Sequence, residues 1–336
     1  MLLGIWWLIL VEKLKVGVIG LGIMGSGMAY NLAKHGLLVS VYNRSKEKSE
    51  KFVERLKKDN VNIAESPKEL MEKVDVVLTC VSNDEAVENI VYGDNGIVSG
   101  LSKGKVLLDS STTSSELTGK ISESLEEKDA HLIAGPMTGS KIRANDGTLT
   151  FMVGGNKEIA FSLKELFEAC GERAVYLGNT NVAQDFKVLA NQYQSDMLVT
   201  YAFKVLAGLA ANAPMAGMQE VFDNTAAISG VAKFKSEFIC GGDFGETHDK
   251  VHFQLDLMLK DLRLAKKVRE KLGVKDVIAE QTLQIMEEAS ASGFGEKDFA
   301  SIVDYIQNSE KYNPSGKKIT GNKLTGAELI VGKASR

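Results

Sequence analysis

The stretch Lys15 to Ser45, KVGVIGLGIMGSGMAYNLAKHGLLVSVYNRS, constrains the chain more than any other, because it joins a β-branched run to a glycine-rich turn and then to an amphipathic helical stretch. Lys15 to Ile19 has the continuous apolar character of a strand buried on both faces, as in a parallel sheet covered by helices. Gly20, Gly22 and Gly25 follow directly. In a dinucleotide site the first glycine makes the tight turn, the second lets the backbone approach the pyrophosphate, and the third lets helix and strand pack closely. The N–H groups that open the new helix, at Ile23 and Met24, then face the phosphates. A glycine-rich turn can be purely structural, but here the surrounding order is complete. Met24, Met28 and Leu32 recur at four-residue spacing, Gly36 ends the helix, and Leu38 to Tyr42 supplies a second strand.

The end of that second strand selects the nucleotide. An NAD site usually carries Asp or Glu there to hold the ribose 2′-hydroxyl, and such a carboxylate repels a 2′-phosphate. This chain has Asn43-Arg44-Ser45. Arg44 offers a permanently charged fork for a phosphate and a plane to stack on adenine, while Asn43 and Ser45 add neutral donors. The reading favours NADP(H), with NAD(H) as the alternative.

The 336 residues suffice for two domains and a sizeable core, and a net charge of −4 gives no basic excess to suggest nucleic acid. Cys80, Cys170 and Cys240 are odd in number, far apart and without metal spacing, which fits a reduced, cytoplasmic setting. The opening MLLGIWWLIL is strongly apolar but too short to span a bilayer, and no charged leader region accompanies it. It reads as an apolar extension over 1–14, with translation beginning near Val11 in the natural protein, and no membrane partner is expected.

Lys46 to Lys58 reads as a charged helix with Phe52 and Leu56 turned inward, and Val61 to Ile63 as a short strand. Val74 to Val81 is another continuous apolar strand. Its end, Val81-Ser82-Asn83, lies where ligands bind in open α/β sheets, outside the carboxyl ends of the strands. Lys105 to Leu108 repeats the pattern and ends in Asp109-Ser110-Ser111-Thr112, where the hydroxyls of Ser111 and Thr112 either cap the next helix or reach a ligand. Capping is the default reading.

His131 to Ala134 leads into Gly135 to Gly155, where Thr138-Gly139-Ser140 places hydroxyls and backbone N–H groups in a tight turn that can receive an anion. Leu149 to Val153 and Ala174 to Leu177 complete the sheet around one helix over Lys157 to Ala169. Beyond Gly178 the alternation stops: Val182 to Ala211 is one long helical pattern closed by Pro214, and His252 to Leu272 and Asp276 to Ala291 are helical by periodicity. The expected architecture is therefore α/β, a Rossmann dinucleotide-binding domain over 15–178 followed by an all-helical substrate and dimerisation domain over 179–307. The Gly-, Lys- and Ser-rich 308–336 reads as a flexible tail.

In the long helix Lys187 and Asn191 are four residues apart and share a face. A helix lysine is most often a solvated group, so position alone carries little. His248 and His252 also sit four apart, a spacing that can bind zinc, but no third ligand accompanies them and no metal is expected.

Several motifs occur together in one order: Gly20-Leu21-Gly22-Ile23-Met24-Gly25, Asp109-Ser110-Ser111-Thr112, Pro136 to Gly147, Lys187-x-x-x-Asn191, and Lys260-Asp261-Leu262-Arg263-Leu264-Ala265. Over about residues 15 to 307 this order resembles the β-hydroxyacid dehydrogenase family, the 3-hydroxyisobutyrate dehydrogenase relatives, whose fold is like that of 6-phosphogluconate dehydrogenase. Gly139-Ser140-Lys141 and Asn43-Arg44-Ser45 look most like the glyoxylate and succinic semialdehyde reductases, which use NADPH. The resemblance implies reduction of a small aldehyde-acid by hydride transfer, with Lys187 as the acid that protonates the developing alkoxide and Asn191 orienting either Lys187 or the carbonyl oxygen. It implies that Ser111, Thr112, Thr138, Gly139 and Ser140 hold a small-molecule carboxylate substrate, and that Thr112 also borders the cofactor. Lys260 would border the nicotinamide, Asp261 would line the pocket and Phe253 would supply an apolar wall. It further implies a homodimer or homotetramer. Two other readings stand beside it: an NAD(P)-dependent 3-hydroxyacid dehydrogenase working in oxidation, and a non-catalytic dinucleotide-binding module.

Overall fold

The computed structural model describes residues 13–57, 60–226, 229–242, 244 and 251–328. The apolar extension up to residue 12, and His248 of the histidine pair, lie outside the described residues. The chain divides into two compact units, Met1–Lys187 and Val188–Arg336.

The first unit alternates strand and helix through β1 (Val16–Ile19), α1 (Ile23–Lys34), β2 (Leu38–Tyr42), α2 (Lys46–Leu56), β3 (Asn62–Ile63), α3 (Pro67–Lys73), β4 (Val76–Thr79), α4 (Asp84–Tyr92), β5 (Val106–Asp109), α5 (Ser115–Glu126) and β6 (His131–Ala134). Period-two alternation explains why a sheet forms. Val16, Val18, Val76, Leu78, Val106 and Leu108 enter one apolar core, while Ile19, Val77 and Leu107 enter a second on the opposite face. With both faces covered, β1 and β4 are buried at every position. The strand order β3-β2-β1-β4-β5-β6 is parallel throughout and reverses direction between β1 and β4. That reversal opens the crevice in which doubly wound sheets bind ligands.

The sheet is completed by β7 (Met137–Thr138), β8 (Leu149–Gly155) and β9 (Gly171–Gly178), with α6 (Ser140–Asp146), α7 (Lys157–Ser162) and α8 (Lys164–Cys170) between them. β8 runs antiparallel to β6 and β7 and parallel to β9. The single helix expected over 157–169 is thus two. Leu163, at φ −83 and ψ 13, interrupts the ladder, and Leu163, Leu166 and Phe167 are all seated in the core.

The second element class begins with α9 (Thr180–Ala210), followed by α10 (Met215–Asp223), α11 (Gly230–Gly241), α12 (Leu255–Leu272), α13 (Val277–Ala289) and α14 (Ile302–Asn308). Pro214 does not close the long helix. Asn212, in the left-handed region at φ 62, ends it, and Pro214 stands at the N-cap of α10. α12 starts three residues later than its periodicity suggests, because the N–H groups of His252 and Phe253 donate to Asp298 Oδ2 at 3.0 and 3.2 Å and hold that segment extended. Within the second unit Asp298 also receives Lys235 Nζ at 2.8 Å, with both side chains buried and the rings of Phe234, Phe238 and Phe299 within 5.5 Å of the ammonium.

Residues 309–328 were expected to be flexible, yet they are anchored. Ile319 is fully buried in the helical core, and its N–H donates to Gln307 Oε1 at 2.7 Å. Among the described residues no helix is long and apolar enough to cross a membrane.

Candidate active site

The glycine turn after β1 has the form its sequence demands. Gly20 sits at φ 95, and a Cβ there would come within 2.3 Å of the Cys80 carbonyl oxygen. A Cβ on Gly25 would lie 1.9 Å from the Gly20 carbonyl oxygen, so only glycine lets α1 start this close to β1. Gly22 is different. A Cβ there would meet no atom within 4 Å, and the residue is exposed at the mouth of the turn beside Ile23. The first N–H groups of α1 have no intrahelical partner, and no acidic residue occupies its first turn, so Gly22, Ile23 and Met24 form a cradle suited to a pyrophosphate.

Asn43 ties this turn to the second strand. Its Oδ1 accepts the Leu21 N–H at 3.0 Å and its Nδ2 donates to the Ser45 carbonyl at 3.1 Å. The asparagine therefore shapes the rim, and the exposed Arg44 is the group left projecting at the end of β2. Ser45 stands at the N-cap of α2.

The loops after β4 and β5 are joined by one network. Asp109 Oδ1 accepts Thr79 Oγ1–H at 2.7 Å and the Ser111 N–H at 3.0 Å, and Ser111 Oγ accepts the Val81 N–H at 3.0 Å. Burial pushes the Asp109 carboxyl above its ordinary range, against the pull of these neutral donors. Asn83 caps α4 by accepting the Ala86 N–H at 2.9 Å, and Ser82 is exposed next to it. The capping reading of Ser111 and Thr112 is not what the structure adopts. Ser114 caps α5, its Oγ accepting the Leu117 N–H at 3.3 Å, because Asp109 and Val81 already hold Ser111.

Thr138 ends β7, and the chain then turns through two left-handed residues, Gly139 at φ 139 and Ser140 at φ 63. Such a conformation is strained for serine and is kept where the surroundings over-determine it. A Cβ on Gly139 would come within 2.8 Å of Arg143 Cβ, which fixes that glycine.

Lys187 lies in the first unit with its side chain buried at 7 % exposure, an unusual place for a helix lysine. One turn earlier, the fully buried Gln184 donates Nε2–H to the Ser111 carbonyl at 3.1 Å and accepts the Thr113 N–H at 3.4 Å. In the second unit Asn191 donates Nδ2–H to Asp261 Oδ2 at 2.6 Å, and Lys260 Nζ stands 2.9 Å from Asp261 Oδ1. Asp261 is 1 % exposed and Asn191 is buried beside it, while the half-buried Lys260 pairs with Asp261 from the more open side. Phe253 packs edge-on against Phe299, ring centroids 6.3 Å apart, beside Asp298. Sequence reasoning missed Gln184, Ser114 and Asp298, whose partners are remote or were hidden among neighbouring hydroxyls.

Two family models match the chain. The NAD binding domain of 6-phosphogluconate dehydrogenase matches residues 15–178, and the NAD-binding domain of NADP-dependent 3-hydroxyisobutyrate dehydrogenase matches residues 183–306. The chain belongs to the β-hydroxyacid dehydrogenase family. It is an NAD(P)-dependent hydroxyacid dehydrogenase, an oxidoreductase acting on CH–OH groups. Within the family it is 26% identical over 294 residues to glyoxylate/succinic semialdehyde reductase 1 of Arabidopsis thaliana, covering 88% of this chain and 99% of that one. It is 28% identical over 312 residues to the mitochondrial 3-hydroxyisobutyrate dehydrogenase of Mus musculus, covering 90% and 89%. It also matches the human cytokine-like nuclear factor N-PAC, 25% identical over 288 residues, but spans only 50% of that protein's length. A solved structure described as Psf3 in complex with NADP+ and 2-OPP shares the fold at TM-score 0.75 and 24% identity, covering 86% of this chain and 99% of that one. A nicotinamide dinucleotide is the cofactor, and the cradle at Gly22 fits its pyrophosphate.

Proposed function

We propose that this family member is an NADPH-dependent reductase of a small aldehyde-acid, of the glyoxylate or succinic semialdehyde type. The observation that carries the cofactor choice is Arg44, exposed at the end of β2 with no carboxylate at positions 43 to 45. The guanidinium pairs with a 2′-phosphate, and Gly20, Gly22, Ile23, Met24 and Gly25 receive the pyrophosphate. Val81, Ser82, Asn83 and Thr112 border the dinucleotide, and Lys260 borders the nicotinamide. Bound NADPH supplies the hydride.

The chain's own groups supply the rest. Ser111, Thr112, Thr138, Gly139 and Ser140 hold the substrate carboxylate through hydroxyls and backbone N–H groups, which bind an anion without introducing a fixed charge. Lys187 gives its proton to the carbonyl oxygen as that oxygen gains charge. Asn191, itself fixed by Asp261, orients the reacting oxygen, and Phe253 excludes water. The 3-hydroxyisobutyrate dehydrogenase relative supports a second reading, oxidation of a 3-hydroxyacid by the same groups run in reverse.

A screen of small aldehyde-acids and 3-hydroxyacids, each with both cofactors, separates the two. The proposal expects the highest kcat/KM for an aldehyde-acid with NADPH. Arg44→Asp exchanges a charge-assisted bond for repulsion and should weaken NADPH far more than NADH. Equal effects on both cofactors would overturn the NADPH assignment.

A further inference from the structure

We propose that Gln184 is a positioning residue for hydride transfer: its side-chain amide clamps the loop carrying Thr112 to the helix carrying Lys187. This inference rests on the proposed roles of Thr112 and Lys187. Gln184 is 0 % exposed, and it bonds to residues 73 and 71 positions away, so the contact belongs to the tertiary fold and not to its own helix.

The chemistry of the clamp is specific. A primary amide donates and accepts at once, and here the donor takes the Ser111 carbonyl while the acceptor takes the Thr113 N–H. The two bonded groups flank Thr112. An apolar side chain would be the ordinary choice for a buried helix position, so a glutamine with both ends used marks a position where orientation matters. The rest of the loop is already fixed by the preceding βα units, by Asp109 and Val81 at Ser111 and by Asp84 Oδ1 at the start of α4, which accepts the Ser114 N–H at 3.0 Å. Gln184 supplies the connection from the helix side, one turn before Lys187. It therefore sets the spacing between a hydroxyl that holds the substrate and the group that delivers the proton.

Two variants test this beside Lys187→Ala, each assayed for kcat, KM, NADPH affinity and thermal stability in the full-length protein. Gln184→Met keeps the length and loses both bonds. It should lower kcat/KM by roughly 10²-fold, the scale of a misplacement of about 1 Å, while NADPH affinity stays within about twofold of the parent. Gln184→Glu keeps the acceptor for Thr113 but sets a carboxylate against the Ser111 carbonyl. Its activity should recover as the pH is lowered, since the protonated acid regains the donor. A purely structural glutamine would change the melting temperature without that pH signature, and this result would overturn the proposal. So would a folded Gln184→Met protein with the parent's kcat and KM. If Gln184→Met does not fold, the pH profile of Gln184→Glu decides. Lys187→Ala separates the two levels: parent-like turnover in that variant overturns the general-acid reading itself, whereas its inactivity beside a parent-like Gln184→Met overturns only the clamp.

Discussion

In the dinucleotide-binding unit the buried carboxylate of Asp109 is held by neutral donors, Thr79 Oγ1 at 2.7 Å and the Ser111 N–H at 3.0 Å, whereas in the helical unit Asp298 faces the Lys235 ammonium at 2.8 Å. Asp298 also accepts the N–H groups of His252, Phe253 and Ala300. The two arrangements carry different consequences. Asp298 is a structural hub whose charge is matched, and burial lowers the proton affinity of Lys235 while Asp298 raises it. Among the described residues no cation pairs with Asp109, which ends β5 where the loops after β4 and β5 meet, so its cost falls at the rim of the candidate site.

The largest effect should come from the hub. Asp298→Ala strands a buried ammonium and three N–H groups, and should cost about 3–5 kcal/mol in denaturant unfolding. A loss below about 1 kcal/mol would break the comparison, since the pair would then be no more than decoration. Next come the glycines of the turn, which separate fold from binding. Gly25→Ala pushes a methyl against the Gly20 carbonyl oxygen and should cost about 1–3 kcal/mol. Gly22→Ala meets nothing within 4 Å, so its melting temperature should match the parent while NADPH affinity falls. Unchanged affinity in Gly22→Ala would place the pyrophosphate elsewhere.

The smallest effect sharpens the contrast through pH. Because burial raises the Asp109 carboxyl above its ordinary value, the native state binds that proton more tightly than the unfolded chain does. Its contribution to stability is full below the ordinary value of 3.8 and is lost as pH rises through the raised native value. Asp109→Asn should flatten the stability profile across that window. A profile that keeps the parent's slope would assign the dependence to another group.

The same division governs what could be read from sequence. In the first unit the signals are local: β-branched runs gave the strands, and Gly20, Gly22 and Gly25 marked the turn, so β1, α1 and β2 fall where their residues put them. One failure there is local, while Gln184 was invisible because its partners lie 73 and 71 positions away. Four neighbouring hydroxyls at 111–114 all qualify as caps, and the tertiary bond from Val81 engages Ser111 while Ser114 takes the cap. In the helical unit the decisive partners are far apart in the chain. Lys235 meets Asp298 across 63 positions, and the same carboxylate, by accepting the N–H groups of His252 and Phe253, delays the start of α12, a fact no periodicity contains. Ile319 is buried although its Gly- and Lys-rich surroundings resemble a free tail.

In the proposed reaction Lys187, buried on the helix that follows the sheet, delivers the proton. Lys187→Ala, saturated with NADPH and the best aldehyde-acid, should lose roughly 10²- to 10⁴-fold in kcat and in kcat/KM, with NADPH affinity unchanged because the glycine turn and Arg44, not Lys187, are the groups proposed to hold that ligand. Lys187→Arg should not restore the rate, since guanidinium keeps its proton at working pH. A correctly folded Lys187→Ala protein that turns over at the parent rate would contradict the account.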